Sequence, residues 1–415
     1  MSLFGEIEKA PQIEVFALNR DYKKDPAPNK VNLSIGAYRT DHGEPWVLPC
    51  VRSVEASIVA DKTLNKEYLP ITGSDALCES SIKLILGENH SLINEKKVES
   101  CQTLGGTGAI YLGLQFSKHC GCSTVYVSNP TWRKSFRSIY VLANHKHIAK
   151  FVGLDIREYR YWDQACKAID FSGMKDDLSN APERSIIVLH ACAHNPTGVD
   201  PSKEEWEVLA DLIQSRKLIP LFDIAYQGFA SGDLDKDAWA IRYFAARNIE
   251  MLITQSFSKN FGLYNERVGV LHVVSNDQLV AENASSQLKV IVRRTWSNPP
   301  QHGALVVSKI LSDPRLHKDW ISNVQTMAER IRVMRQKLLE KLISINTPGN
   351  WDHIVTQSGM FSYSGLTKQQ VDYLRSTYHI YIMSDGRINM CGLTPNNIEY
   401  VANAIRDSVT KFPSE

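Results

Sequence analysis

Residues 185–226 read SIIVLHACAHNPTGVDPSKEEWEVLADLIQSRKLIPLFDIAY, and the order of patterns in this stretch decides the fold class. Ser185–Leu189 and Ile219–Phe222 are short apolar runs, each closed by polar or Gly/Pro punctuation. Runs of that length bounded by turn formers suit strands buried on both faces of a parallel sheet. Between them, Ser202 and Glu205 stand at capping-box spacing, and Trp206, Leu209, Ala210 and Ile213 then recur at helical intervals. The unit is therefore strand, helix, strand. Reading outward, Val125–Val127 upstream and Met251–Thr254 downstream are apolar runs of the same kind. Alternation of this sort predicts a doubly wound α/β domain with a mostly parallel sheet flanked by helices.

The pattern changes from Ile321. Ile321, Val324, Met327, Ala328, Ile331, Met334, Leu338 and Leu342 form one long apolar stripe, read as core packing on a helix that enters a second, smaller α/β domain. The first fifty residues are rich in Pro and Gly and read as an irregular arm. The expected divisions are 1–47 (arm and part of the small domain), 48–320 (large domain) and 321–415 (small C-terminal domain). A chain of 415 residues exceeds what a single core usually holds, so two domains are the natural expectation.

Formal net charge is +2, from 47 basic and 45 acidic residues, which offers no general field for nucleic acid. The eight cysteines are scattered, and only Cys120-Gly-Cys122 is close-spaced. No zinc-ligand spacing is present, so no metal is expected, and the thiols read as reduced. The opening Met1-Ser-Leu-Phe-Gly-Glu-Ile-Glu resembles neither a signal nor a transit peptide, and no apolar run reaches membrane-spanning length. A soluble cytoplasmic protein with small-molecule partners is the expectation.

Parallel α/β sheets place ligands at the carboxyl ends of their strands. Each apolar run is followed by residues that can do chemistry. Gly105-Gly-Thr-Gly-Ala109 opens a helical stretch and can offer bare amides to a phosphate, although tight helix entry alone would also use it. His190-Ala-Cys-Ala-His-Asn195-Pro-Thr-Gly198 contains a turn signature in which Asn195 is either structural or a ligand. Asp223-Ile-Ala-Tyr226 puts an acid at the end of a buried strand, where it needs a cation or a capping role. Gln255-Ser256-Phe-Ser258-Lys259 puts a lysine among small hydroxyls, solvated or else desolvated enough to act as a nucleophile, and Arg267 follows. A phosphate cradle, a neutral polar group, a buried acid, a phenol and a lysine, all at strand ends, converge on one ligand, pyridoxal phosphate.

With these motifs quoted, the chain resembles the aspartate aminotransferases, class I fold-type-I pyridoxal-phosphate enzymes, and is most similar to the cytosolic animal type. Ser256-Phe-Ser-Lys-Asn-Phe-Gly-Leu-Tyr-Asn-Glu-Arg267, Asn195-Pro-Thr-Gly198, Asp223-Ile-Ala-Tyr226-Gln-Gly-Phe229, Trp296-Ser-Asn-Pro-Pro300 and Gly386-Arg-Ile-Asn389 carry the resemblance over essentially the full length. It implies that Lys259 attaches the cofactor and later serves as general base, with Asp223 on the ring nitrogen. It implies Asn195 and Tyr226 on the ring 3-oxygen, with Gly106, Thr107, Ser256 and Arg267 on the phosphate. Trp132 would stack on the ring. Arg387 would take the substrate α-carboxylate and Arg293 the side-chain carboxylate, with Ile35, Gly36 and Phe361 as pocket walls. Tyr68 would reach the phosphate of a neighbouring subunit. Because Arg293 and Tyr68 would serve the other subunit's site, a homodimer is implied.

The implied reaction is ping-pong transamination between L-aspartate and 2-oxoglutarate, giving oxaloacetate and L-glutamate. Two guanidinium forks suit a dicarboxylate, and a neutral side chain would leave Arg293 unpaired. An aromatic aminotransferase and a catalytically silent relative are the competing readings. One departure stands out: the family has Trp-x-Asn-His, whereas here Trp132-Arg133-Lys134-Ser135 follows the Pro-Thr step. The expectation is that Ser135 replaces the histidine supporting Asp223, with a water filling the gap.

Overall fold

The four apolar runs become strands of one central sheet, with three further strands beside them, in the computed structural model, which describes residues 2–131 and 144–413. In chain order these are β1 (Val98–Leu104), β2 (Thr124–Asn129), β3 (Asp155–Arg160), β4 (Ile186–His190), β5 (Ile219–Ile224), β6 (Met251–Ser256) and β7 (Val268–Val274). The seven-stranded sheet has the spatial order β1-β7-β6-β5-β4-β2-β3. Pairings from β6 through β3 are parallel, while β7 runs antiparallel to both β1 and β6. Strands β4, β6 and β7 are buried at every position, as a sheet covered by helices on both faces requires. Such continuous burial looks the same for either direction, so β7's reversal was not readable from its pattern.

The helix between β4 and β5, Lys203–Ser215, has the expected capping box, with the Ser202 hydroxyl and Glu205 satisfying each other's backbone N–H groups. Trp206, Leu209, Ala210 and Ile213 are its buried residues. Register brings the strand ends level. His190 lies opposite Asp223, Asp223 opposite Thr254, and Ser256 opposite Gly269. One row of carboxyl-terminal positions is thus assembled from separate strands.

The apolar stripe from Ile321 to Leu342 lies in the helix Pro314–Ser344, which starts before the stripe does. The Asp313 carboxylate caps it by accepting from the Arg315 and Leu316 amides, and Pro314 fills the first turn, where its missing N–H costs nothing. One continuous core joins this helix to Phe257 and Phe261 on one side and to Leu374, Val401 and Ile405 on the other. Near the C-terminus Phe361–Tyr363 pairs antiparallel with Arg387–Asn389.

The first fifty residues are more ordered than an irregular arm. Glu14–Lys24 is a helix, and Val31–Asn32 pairs in parallel with Ile380–Tyr381. The helix buries only Leu18, which packs on Tyr381 and Met383. A helix with one buried residue leaves no periodic stripe to read. No helix among the described residues is long and apolar enough to cross a membrane.

Candidate active site

The helix Gly105–His119 begins where β1 ends, with Gly105 at φ +69°. A Cβ on Gly105 would lie 2.5 Å from the Arg267 guanidinium, and one on Gly106 would lie 2.9 Å from the Ser256 Cβ. Only glycine lets these groups approach the helix start so closely. Arg267 is fixed by donating to the Ser258 hydroxyl (3.0 Å) and the Tyr264 carbonyl (3.2 Å). Bare amides, the positive end of a helix and a guanidinium therefore face one end of a cavity of about 480 Å³, with Thr107 and Ser256 on its wall. This is an anion cradle.

Asp223, 7% exposed, lines the same cavity. Burial by itself would raise the pKa of its carboxyl. The hydrogen bond and charge of His145, with His190 and Lys259 nearby, outweigh burial and hold it below the usual range. His145 Nε2 lies 3.2 Å from Asp223 Oδ2, and His145 Nδ1 lies 3.1 Å from the Thr131 hydroxyl. His190 accepts from the Asn195 amide through Nδ1, which places its proton on Nε2. Burial, aided by His194, pushes His190 well below its ordinary pKa, so it is neutral. Its Nε2 is buried without a hydrogen-bond partner among the described residues, and His190 lines the same cavity. The donor atoms of His145, His190 and Asp223 lie within 4.8 Å of one another.

Lys259 also lines this cavity, its amine 5.2 Å from the centre of the Tyr226 ring. Burial pulls the pKa of this amine down to about 8, with Arg267 and Arg387 adding to the effect and Asp223 opposing it. The Tyr226 oxygen is 3.5 Å from Asn195 Nδ2, and burial raises its pKa. Arg387, 5% exposed, donates to Asn195 Oδ1 (3.1 Å) and to the Ser34 carbonyl (3.1 Å). The Phe361 ring lies 4.2 Å from the Arg387 guanidinium carbon. A Cβ on Gly36 would come within 2.8 Å of the Phe361 ring, and the carbonyls of Ile35 and Ala37 accept from Asn389 Nδ2. Ile35, Gly36, Phe361 and Arg387 thus form one wall beside Asn195 and Tyr226.

Two of the predicted residues are not part of this assembly. Tyr68 is 87% exposed. Arg293 is exposed on the helix Gln278–Thr295, where its guanidinium meets the Ser297 hydroxyl at 2.5 Å. Trp132 lies outside the described residues, as do Arg133, Lys134 and Ser135. The expected loss of the supporting histidine is overturned. His145 bonds Asp223 directly, so neither Ser135 nor a bridging water is needed. Asn144 and His145 follow Trp132 by twelve and thirteen positions, where the family spacing has two and three. A search for a displaced Asn-His pair would have found them. Val15 and Phe16, which also line the cavity, had no signal in the arm's composition.

The cavity tests well against pyridoxal phosphate. Its lining combines an anion cradle, a buried carboxylate and an amine of lowered pKa. A family model for aminotransferase class I and II matches residues 28–405. The chain belongs to this family. Among curated members, this aminotransferase is 50% identical to the cytoplasmic aspartate aminotransferase of Gallus gallus, over 99% of each chain. It is 48% identical to the cytoplasmic aspartate aminotransferase of Caenorhabditis elegans, over 100% of each. Among solved structures, it resembles the aspartate aminotransferase from Saccharomyces cerevisiae cytoplasm with TM-score 0.94 and 43% identity, covering 99% of each chain. An aromatic-amino-acid aminotransferase from Burkholderia pseudomallei, covalently bound to pyridoxal phosphate, matches with TM-score 0.93 and 39% identity, over 98% of this chain and 100% of that one.

Proposed function

We propose that this aminotransferase is a cytoplasmic, pyridoxal-phosphate-dependent enzyme exchanging the amino group of L-aspartate with 2-oxoglutarate, giving oxaloacetate and L-glutamate. The observation that carries the reading is that one cavity is lined by an anion cradle, the buried Asp223 and the Lys259 amine, with Arg387 bonded to Asn195 of the same lining. When bound, the cofactor supplies an aldehyde and an electron-accepting ring.

The chain's own residues supply the rest. Gly106, Thr107, Ser256 and Arg267 hold the phosphate. Asp223, kept ionised by His145, holds a proton at the ring nitrogen. Tyr226 and Asn195 donate to the ring 3-oxygen. The Arg387 fork takes the α-carboxylate, which orients the α-C–H toward Lys259. Neutral once freed, Lys259 Nζ takes the α-proton, holds it as an ammonium and gives it back from the same face to complete the exchange.

Arg293 and Tyr68 enter through a homodimer. Both are exposed and apart from this chain's cavity, so they serve the site of the partner subunit, Arg293 on the side-chain carboxylate and Tyr68 on the phosphate. The same reading divides the chain at 47 and 320, with 321–415 closing over the substrate. The solved relatives titled as aromatic aminotransferases make aromatic amino acids slow secondary substrates in this reading.

The test follows the visible absorption of the purified holoenzyme as aspartate and then 2-oxoglutarate are added. Bleaching by aspartate and recovery with 2-oxoglutarate support both half-reactions. A band that ignores aspartate but responds to phenylalanine would replace the dicarboxylate assignment with the aromatic one.

A further inference from the structure

Arg335 sits in the helix Pro314–Ser344, 3% exposed. Among the described residues no carboxylate lies within ion-pair distance of it, and all its hydrogen bonds go to main-chain carbonyls. Nη1 donates to Ile354 (2.6 Å), and Nη2 faces Ser358 (3.2 Å), Gly359 (2.9 Å) and Phe361 (2.5 Å). Burial pulls its pKa down to about 10, so the guanidinium stays charged near neutrality. A buried cation without an acid is costly, and its retention asks for a reason beyond stability.

The segment it grips is pressed from the other side by the loop carrying Asn195. The Ser358 amide donates to the Gly198 carbonyl at 2.6 Å. A Cβ on Gly198 would lie 2.8 Å from the Phe361 carbonyl, and one on Gly359 would lie 2.4 Å from the Ala193 Cβ. Ser358–Phe361 is therefore wedged between a guanidinium and the 193–198 loop with no slack. At its far end, Phe361 pairs with Asn389, Tyr363 pairs with Arg387, and the Phe361 ring lies against the Arg387 guanidinium.

We infer that Arg335 is a positioning residue for substrate recognition, setting the separation of Arg387 and Asn195 by clamping Ser358–Phe361 against the 193–198 loop. The inference rests on Arg387 taking the α-carboxylate. The four carbonyls need a planar fork. A lysine presents one point charge on a flexible stem and cannot reach all of them, and a methionine leaves them unsatisfied.

The test measures kcat and KM of the holoenzyme for aspartate and 2-oxoglutarate in Arg335→Lys and Arg335→Met, with succinate as a non-reacting dicarboxylate probe. Arg335→Lys should raise both KM values and weaken succinate about tenfold, and Arg335→Met more, because small misplacements of a binding group are expensive. kcat should move less than KM. The pH midpoint of the cofactor's visible band should move only slightly, because Asn195 and Arg387 shift while Asp223, Tyr226 and Lys259 stay in place. Folded variants with unchanged KM and only a lower melting temperature overturn the inference. If Arg335→Met fails to fold, Arg335→Lys decides alone. Arg387→Lys is the control. If it leaves KM unchanged, the Arg387 assignment falls and this inference with it. If it raises KM while Arg335→Lys does not, only the inference falls.

Discussion

Two arginines assigned to the substrate's two carboxylates sit in opposite environments. Arg387 is buried, forked onto Asn195 and Ser34, and covered by Phe361. Arg293 stands exposed at a helix end, touching Ser297 of its own chain. A desolvated guanidinium placed by fixed acceptors is pre-organised for a carboxylate. A solvated one gains little until a second surface excludes water around it. In the proposed homodimer, half of the dicarboxylate specificity would be complete within one chain and the other half would await a partner.

The largest effect should come from the buried half. Lys259→Ala should retain cofactor binding but lose turnover by about 10⁴-fold or more, since both attachment and proton transfer are removed. Steady-state rates with the visible spectrum check this, and near-normal turnover would break the comparison at its root.

Next come the arginines themselves. Arg387→Ala should cost about 3–5 kcal/mol in kcat/KM for any amino acid, because a desolvated partner is lost. Arg293→Ala should cost a similar amount for aspartate only and spare phenylalanine. Dissociating and remixing Lys259→Ala with Arg293→Ala subunits should restore aspartate activity, since one hybrid site then holds both intact groups. No recovery would show that Arg293 acts some other way.

A smaller effect separates direct from supporting groups within the buried half. His145→Ala should lower kcat by about 10- to 100-fold while cofactor still binds. The apparent pKa of Asp223 should rise, because the first of the lowering influences is gone. A Ser135→His change should do little, as His145 already fills the role.

The mildest prediction concerns pH. In cofactor-free protein, Lys259 should react with aldehydes at a rate rising through about pH 8, well below the 10.5 of an ordinary lysine. The direction follows from burial, which favours the neutral, nucleophilic amine. Asp223→Asn should move the midpoint lower still, because Asp223 is the one group raising it. A midpoint near 10 would mean the amine is solvated, like Arg293.

Much of this was legible in the chain. Apolar runs between turn formers located β2, β4, β5 and β6, and residues at or just past the ends of β4, β5 and β6 gather at the cavity. The capping box at Ser202 and Glu205 fixed a helix start because it is a local bargain between neighbours in sequence. The helix Glu14–Lys24 was missed because a single buried Leu18 gives no period. The strand β7 was not among the runs read, and its direction could not have been, because full burial on both faces carries no sign of orientation.

The sequence by itself determined the strand ends, the glycines that admit Arg267 and Ser256, and the identities of Lys259, Asp223, Tyr226 and Arg387. These depend on short-range patterns or on residue chemistry. Tertiary structure decided which residues meet across long separations. Only packing showed that His145 supports Asp223. Only packing left Arg293 and Tyr68 outside, and only packing locked Arg335 onto the carbonyls behind Phe361. The physical reason is the same in each case: a buried polar group must find its partner wherever the fold delivers one, and position along the chain does not encode that distance.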